Sequence, residues 1–517
     1  MTTLAVPALD VSAPDRGRAM RALARVEARR MLQSPVTAVA GMLFVTPWVY
    51  GWLALSPNSY PVLSTEMATT QFIALLVLGS GALITANLAT LRPHRHRADE
   101  FFDVLVLPAQ WRTGALLLAL SGPAGLALLL VGVRMAILAA LPGAAGRINV
   151  FDLLTAPVVV GLLGAVGVLL GRVVRSAIVA PLIALFLVAA AFVLPIGASN
   201  PSRSRLLFPT VTAEFTMPVP SELLDRPAGR HLVYVIGLLL VVCVLALLRS
   251  GARRVWLAAG IAVTLVVFGG TTQFRTSSSV AALRKTATDD PAALQTCRSV
   301  GGVKYCAFDD FTPWIPGWDK VVRDVRAAVP WVSSPGLAVR QRVWVDGQPI
   351  LTSSTAKESD RLATDQRASA AAGTPDAIPV GTTWGSPPDE AVFAAAVAYR
   401  LIAGHPTRSG MSVCGARGAL LVWLVGKAAP DGLRELDEQS WNALVFSDLS
   451  GYSGISVPDS DAYSGLALLD APGASATVRE HWAELTAPDT RVERFAELTG
   501  VSVAAQPPES ERVGCER

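Results

Sequence analysis

Long apolar stretches dominate the first half of this 517-residue chain. Seven of them are close to or above the ~20 residues that a helix needs to cross the hydrocarbon core of a bilayer. They are Val36–Leu55, Thr69–Leu91, Thr113–Leu141, Leu153–Leu170, Ala177–Pro195, His231–Leu248 and Val255–Gly270. Only 16% of the residues are charged, against about 25% in soluble globular proteins. The pattern predicts a polytopic membrane protein and argues against a soluble enzyme or a disordered chain.

The arginines that flank these stretches are unevenly distributed. Fifteen lie in the N-terminal tail and in the second, fourth and sixth connections, against five in the other connections. Because such residues concentrate in cytoplasmic segments, we expect a cytoplasmic N-terminus and, after seven spans, an extracytoplasmic segment beyond Gly270. Arginine outnumbers lysine 39 to 5, as in proteins of high-GC bacteria, so the expected location is a bacterial cell membrane.

We expect three parts along the chain. Residues 1–35 form a cytoplasmic tail in which Arg18–Leu32 is an amphipathic helix. This helix lies along the inner headgroups or extends the first span into the cytoplasm. Residues 36–271 form the transmembrane domain and residues 272–517 an extracytoplasmic, disulfide-bearing domain. The fold class is therefore an all-α polytopic membrane domain of about seven helices followed by a mostly helical α+β domain.

Local patterns predict the elements of the second domain. Thr271–Gln295 is expected to be a polar linker. Leu337–Val345 is expected to be a strand, which a turn at Asp346-Gly347 joins to a second strand. Ser353–Pro375 is polar and alanine-rich, which is typical of a mobile segment. Helices are expected at Asp319–Val329, Asp389–Ala403, Ala416–Lys427, Leu433–Leu444, Thr477–Leu485 and Asp489–Leu498.

Four of the five cysteines lie in the expected extracytoplasmic domain: Cys297, Cys306, Cys414 and Cys515. An even set in an oxidising compartment is typical of disulfides. Cys297 and Cys306 end two four-residue arms around Gly301-Gly302, which suits a two-residue hairpin turn. That register places both cysteines at a non-hydrogen-bonded pair, ~4.5 Å apart at Cα, within disulfide range. Cys414–Cys515 then follows by elimination. The competing interpretation, a zinc site, lacks a second close cysteine pair and a nearby histidine.

Two features inside the apolar stretches have more than one interpretation. Arg134 is a charge within the third stretch, and it either reaches the headgroups near the outer end of its helix or lines a translocation path. Gly167 and Gly171 are four residues apart in the fourth stretch, a spacing that allows close helix packing. Packing within one subunit is favoured over a dimer face.

The connection Arg92–Trp111 joins the second and third stretches and carries the candidate site residues. These are Asp99, Glu100, Phe101, Phe102, Asp103 and Leu105. Asp99 and Asp103 are four residues apart, as are Phe101 and Leu105, so a short helix here would have an acidic edge beside an apolar one. A soluble cytoplasmic partner can bind such a helix. The alternative is an interfacial turn that rests on lipid.

Catalytic motifs are not found in the sequence. Gly426-Lys427 is followed by Ala428 and therefore does not form a phosphate-binding loop. No His-Glu-x-x-His occurs, and Gly451-Tyr452-Ser453-Gly454 is one residue short of a serine-hydrolase elbow. No block of like charge is long enough for nucleic acid. We expect no catalytic residue, no metal, no cofactor and no nucleic-acid partner, so ATP hydrolysis would have to come from another polypeptide.

Over Arg18–Arg254 the layout resembles the membrane subunit of an ABC-2-type transporter, of the kind that actinobacteria encode beside a separate ATP-binding subunit. The resemblance rests on the arginine-rich helix before the first span and on the run Asp99–Pro108, which is similar to the family's acidic, then Leu-x-x-Leu-Pro, coupling segment. The long connection between the fifth and sixth stretches also fits, since the family places short re-entrant helices there. The seventh stretch and the large C-terminal domain depart from the family's six spans.

The resemblance implies that two membrane subunits assemble with two ATPase subunits. Asp99 to Leu105 would touch the ATPase, whose nucleotide-driven dimerisation opens a path for export. We therefore expect a permease subunit of an ATP-driven exporter, itself not an enzyme, in contact with the bilayer, an ATP-binding subunit and a second membrane subunit. The main alternative is a membrane-anchored extracytoplasmic enzyme or sensor. A proton-driven transporter would need ionisable residues buried in mid-span, where Arg134 is nearly alone.

Overall fold

The computed structural model describes most of the chain and shows a mostly helical protein with a smaller sheet-containing part. The described residues are 16–54, 60–95, 107–196, 208–210, 217–225, 227–275, 277–330, 336–343, 345, 355–407, 410–440, 442–447 and 454–504. This mixture of a large helical part and a minor β part agrees with the expected fold class.

Each of the seven apolar stretches is helical within the described residues. The helices of this bundle are α1 (Arg16–Leu32), α2 (Pro35–Ala54), α3 (Leu63–Ile73), α4 (Ser80–Arg95), α5 (Ala109–Ala119), α6 (Ser121–Ala140), α7 (Val150–Val173), α8 (Val179–Ile196), α9 (Ala228–Arg249) and α10 (Trp256–Thr272). A π-helical turn, Ala74–Gly79, joins α3 to α4. Long apolar runs therefore became helices, as expected where backbone groups must pair within one segment.

Length and composition separate these helices into two groups. In the described part of the chain, four continuous helices are long and apolar enough to cross a membrane: Leu63–Arg95, Ala109–Ala140, Val150–Val173 and Ala228–Arg249. The pair α1–α2, which is bent by 55°, would make five if it counts as one span. The remaining apolar segments, Val179–Ala190 of α8 and Trp256–Thr272 (α10), are shorter. The count of seven spans stays a prediction.

Helix α7 lies at the centre of the bundle, where it packs against α4, α6 and α9. Gly167 of α7 lies against the backbone of Leu83 on α4, and Gly171 lies against Thr90 of the same helix. The small residues thus allow close packing within the chain, as the spacing of the two glycines predicted.

The two ends of the bundle differ in what they contact. The arginine-rich end of the bundle is the end that carries Arg92, Arg112 and Arg249. At this end, the hydroxyls of Thr113 and Ser250 lie 2.7 Å apart and connect the start of α5 to the end of α9. At the opposite end, the C-terminal domain is hydrogen-bonded to the helix connections. The Trp314 indole donates to the Gly143 carbonyl (2.6 Å), and the Tyr60 amide donates to the Trp384 carbonyl (2.9 Å).

The C-terminal domain begins with a helix where a polar linker was expected. Helix α11 (Ser278–Asp289) and the 3₁₀ turn Pro291–Leu294 occupy most of that segment. Arg284 of α11 donates to the Leu223 carbonyl (2.8 Å), and Ala287 is buried. The expectation of a linker was wrong because contacts with a distant segment stabilise this short helix.

The predicted hairpin and its disulfide are confirmed. Strands β1 (Gln295–Val300) and β2 (Val303–Phe308) pair antiparallel with Cys297 opposite Cys306 and Val300 opposite Val303. Both turn glycines have positive φ (57° and 79°), as a type I′ turn requires. The two cysteines are bonded, with their Cα atoms 4.0 Å apart. Cys414 is also disulfide-bonded, but its expected partner, Cys515, lies outside the described residues, so that pairing stays a prediction.

Two expectations about the middle of this domain have different outcomes. Strand β3 (Ala338–Gln341) forms no antiparallel pair among the described residues, and the expected turn at Asp346-Gly347 lies outside them. The strand pairs parallel with both β2 and β4 (Ile378–Val380), and all its residues are buried, as is usual in a central parallel strand. Where a mobile segment was expected, α13 (Thr355–Ala371) is a helix. Alanine favours helices, and Asp365 of α13 pairs with the buried Arg342.

The other elements of the domain pack around a large apolar core that includes the fully buried Trp314, Trp318 and Trp423. They are α12 (Ile315–Ala328), α14 (Pro387–Ala403), β5 (Met411–Ser412), α15 (Gly415–Ala428), α16 (Pro430–Glu438), β6 (Ala443–Phe446), β7 (Ile455–Pro458), α17 (Asp459–Leu469), α18 (Ala474–Glu480), α19 (Trp482–Leu485) and α20 (Val492–Thr499). The helix expected to run through Leu444 ends at Glu438, because the following residues pair with β7.

Candidate functional site

The candidate residues of the inner connection lie outside the described residues. These are Asp99, Glu100, Phe101, Phe102, Asp103 and Leu105. The structure describes both flanking helices, α4 up to Arg95 and α5 from Ala109. The interpretation of this connection as a coupling segment therefore stays a prediction, and the elements around it are the observable part of the site.

Helix α1 is held against the end of α4 by an ion pair. Nη1 of Arg92 lies 2.9 Å from both carboxylate oxygens of Glu27. Glu27 is buried on the same face of α1 as Ala24 and Met31. Because α1 meets α2 at 55°, it does not continue the axis of that helix. This amphipathic helix therefore lies across the arginine-rich end of the bundle.

A cavity of about 1140 Å³ lies at the other end, between the bundle and the C-terminal domain. Helices α2, α3 and α6 form its walls, with Trp48, Glu66 and Arg134 among the lining residues. The segment that leads into α14 and the first turn of that helix form its roof, which includes Trp384 and Asp389. The cavity therefore joins membrane-type helices to the attached domain.

Arg134 supplies the positive charge in the cavity wall. Its Nη2 lies 2.7 Å from Oε2 of Glu66, and its Cζ lies 4.8 Å from the centroid of the Trp48 ring. Its side chain is only 14% exposed. Arg134 therefore lies in the wall of a cavity, and the interpretation that it lines a translocation path stays a prediction.

Several hydrogen bonds and a ring contact connect the residues of the cavity roof. Ser386 caps α14 in a reciprocal capping box with Asp389, and the Thr383 hydroxyl donates to the same carboxylate (3.0 Å). The Trp384 ring packs edge-to-face on Phe393 at 5.6 Å. These bonds lie within the C-terminal domain, and the hydrogen bond from the Tyr60 amide to the Trp384 carbonyl connects the roof to the bundle.

Comparisons with known proteins do not assign this site to a family. No protein-family model, no curated protein and no solved structure matches the chain. Function has to be argued from the site itself. Among the residues that the structure describes, no cluster of three or more His, Cys, Asp or Glu could hold a metal ion. The cavity instead has the features of a ligand site, with apolar walls and few polar groups.

Sequence reasoning singled out Arg134 but missed Glu66, Trp48 and the whole roof. Glu66 lies just before the second apolar stretch, and Arg134 is the main charge of the third. Opposite charges in or beside neighbouring spans often pair, so these two residues could have been matched. Trp384 and Asp389 carry no such signal because only the docking of the domain brings them to the cavity.

Proposed function

We propose that this chain is the membrane subunit of an ATP-driven exporter of the ABC-2 type, with ATP hydrolysis on a separate subunit. The observation that carries the proposal is the ion pair between Glu27 and Arg92. It attaches an arginine-rich amphipathic helix to α4, the helix that leads directly into residues 96–106. Movement of that connection by a partner would therefore be passed to α1 and to the bundle.

The proposed topology has seven spans with the arginine-rich end in the cytoplasm. The hydrogen bonds of Trp314 and Tyr60 support it, since they attach the C-terminal domain to the opposite end of the bundle. The Cys297–Cys306 disulfide supports an oxidising compartment for that domain. A bacterial cell membrane with the domain outside satisfies both observations.

A membrane-anchored sensor is the second candidate function. The observation that favours it is the cavity, whose roof belongs to the C-terminal domain. In this case ligand binding would alter the docking of the domain, and no ATPase would be needed.

The deciding experiment is purification of the tagged full-length chain at its native expression level in mild detergent. The exporter proposal expects an ATP-binding protein and ATPase activity in the purified material. Replacing Phe101 and Phe102 together with alanine should remove both. Phe151→Ala is the matched control, because Phe151 is an exposed phenylalanine at the start of α7, away from the inner connection. Material without any ATP-binding protein, or a double variant that retains it, would contradict the proposal.

A further inference from the structure

Two hydrogen-bond donors in the cavity wall have no partner among the described residues. They are Nη1 of Arg134 and Nε1 of Trp48, and both atoms are buried. Arginine and tryptophan side chains donate hydrogen bonds and do not accept them through these nitrogens. Only a group with acceptor oxygens would satisfy both. Buried donors are usually paired in native proteins, and here two of them line one cavity, where a bound acceptor would satisfy both.

The two donors belong to one site. The guanidinium of Arg134 lies over the Trp48 ring, and both side chains line the same cavity of about 1140 Å³. Small-molecule sites have volumes of about 300–1,000 Å³. The cavity therefore has room for a headgroup together with an apolar chain.

The remaining wall of the cavity is suited to such a chain. Val49 of α2 and Val133 and Ile137 of α6 line it, and all three are exposed in the chain (46%, 49% and 37%). These side chains lie on apolar helices, so the lipid phase is the environment that would cover them. An amphiphile could thus enter from the bilayer and keep its chain between α2 and α6.

Hydrogen bonding, and not the net charge of the cavity, argues for a headgroup with acceptor oxygens. Two carboxylates line the cavity, those of Glu66 and Asp389. Asp389 already accepts from Thr383, from the Ser386 hydroxyl (2.6 Å) and from the Ser386 amide (3.3 Å). Glu66 is bound to Nη2 of Arg134. The two unpaired buried atoms, Nη1 of Arg134 and Nε1 of Trp48, are both donors, and one of them is cationic.

We infer that this cavity binds a single anionic amphiphile from the lipid leaflet next to the C-terminal domain. Its acidic headgroup accepts hydrogen bonds from Arg134 and Trp48, and its chain lies along α2 and α6. Glu66 orients the guanidinium and competes with the headgroup for it. The inference concerns binding by this chain and does not depend on ATP-driven transport.

The test uses the purified full-length chain in phosphatidylcholine nanodiscs. Fluorescently labelled phosphatidylglycerol is the probe, and equally labelled phosphatidylcholine is the reference. We expect phosphatidylglycerol to bind about tenfold more tightly, because charge-assisted hydrogen bonds are the stronger ones. Arg134→Gln should abolish this preference. Glu66→Gln should increase it, since the competing carboxylate is removed. Weaker phosphatidylglycerol binding by Glu66→Gln, or an unchanged preference in Arg134→Gln, would overturn the inference.

Further variants separate the headgroup from the chain. Trp48→Phe keeps the ring and removes only the Nε1 donor, so binding should weaken severalfold. Ile137→Trp should block the cavity, whereas Ile261→Trp on α10, equally in an exposed apolar position, should not. Inorganic phosphate alone should fail to displace the probe, and displacement by it would contradict a site for an amphiphile. An intact Cys297–Cys306 disulfide and an unchanged size-exclusion profile verify that each variant is folded. With these folded variants, binding that is unaffected by both Trp48→Phe and Ile137→Trp would also overturn the inference.

Discussion

Gly167 on α7 packs so closely on Leu83 of α4 that a Cβ at position 167 would overlap the Leu83 carbonyl oxygen. The Asn87 side chain donates to the Gly167 carbonyl in the same contact (3.4 Å). The two central helices of the bundle thus touch through their backbones. This contact depends on one residue having no side chain.

Gly167→Ala is therefore expected to destabilise the bundle. Overpacking of a tight contact costs about 1–3 kcal/mol, because a backbone carbonyl cannot move aside as a flexible side chain can. Gly132→Ala on α6 is the control, since a Cβ there meets no atom within 4 Å. Thermal unfolding of the detergent-solubilised chain should show a lower midpoint only for Gly167→Ala. Equal midpoints for both variants would contradict the packing described.

Loss of the Glu27 carboxylate should loosen α1 from α4. The Glu27 side chain is 9% exposed and that of Arg92 is 38% exposed, so Glu27→Gln should cost about 1 kcal/mol after solvent screening is considered. Limited proteolysis within α1 should become faster. Glu222→Gln, which changes an exposed glutamate of the 3₁₀ turn Ser221–Leu223, should leave the rate unchanged. If proteolysis within α1 is equally fast in Glu27→Gln and Glu222→Gln, the ion pair between Glu27 and Arg92 does not hold α1 against α4.

The hairpin disulfide should stabilise the C-terminal domain modestly. It closes a short loop with a sequence separation of 9, for which chain-entropy estimates give about 2–3 kcal/mol. Replacing both Cys297 and Cys306 with alanine should lower the unfolding midpoint under oxidising conditions. Cys243→Ala removes the free thiol of α9 and should not produce this loss. A reductant that leaves the midpoint of the unmodified chain unchanged would argue against the stabilisation.

Asp461 should make the stability of the C-terminal domain depend on pH. Burial raises the pKa of its carboxyl to about 6, against about 3.9 in an unfolded chain. The folded state therefore binds more protons than the unfolded state between these values. Stability falls as the pH rises from about 4 to 6 and levels off above, with an expected loss of about 3 kcal/mol.

Asp461→Asn tests this pH dependence. The amide oxygen can still accept from the Gly415 amide, which lies 2.7 Å from the carboxylate. We expect a higher unfolding midpoint at pH 7.5 and a flatter profile between pH 4 and 6. Asp470→Asn at an exposed position should retain the slope. If the unfolding midpoints of Asp461→Asn and of the unmodified chain change equally between pH 4 and 6, the pH dependence comes from other groups.

Local sequence patterns were enough for part of this fold. The seven apolar runs form helices because an apolar environment offers no water to the backbone N–H and C=O groups. A helix pairs these groups within one segment. The hairpin register followed from Gly301-Gly302, since a two-residue turn aligns its arms residue by residue and so brings Cys297 opposite Cys306. In both cases the interacting groups are neighbours along the chain.

Tertiary structure alone decided the rest. Strand β3 is central and parallel because distant strands cover both of its edges, and Asp365 of α13 pairs with the buried Arg342, which directly follows β3. The candidate cavity needs Trp48, Glu66, Arg134 and Trp384 together, although they are separated by up to several hundred residues. The spacing of these residues in the sequence does not predict their contacts, since the contacts depend on how the helices pack and on where the C-terminal domain docks.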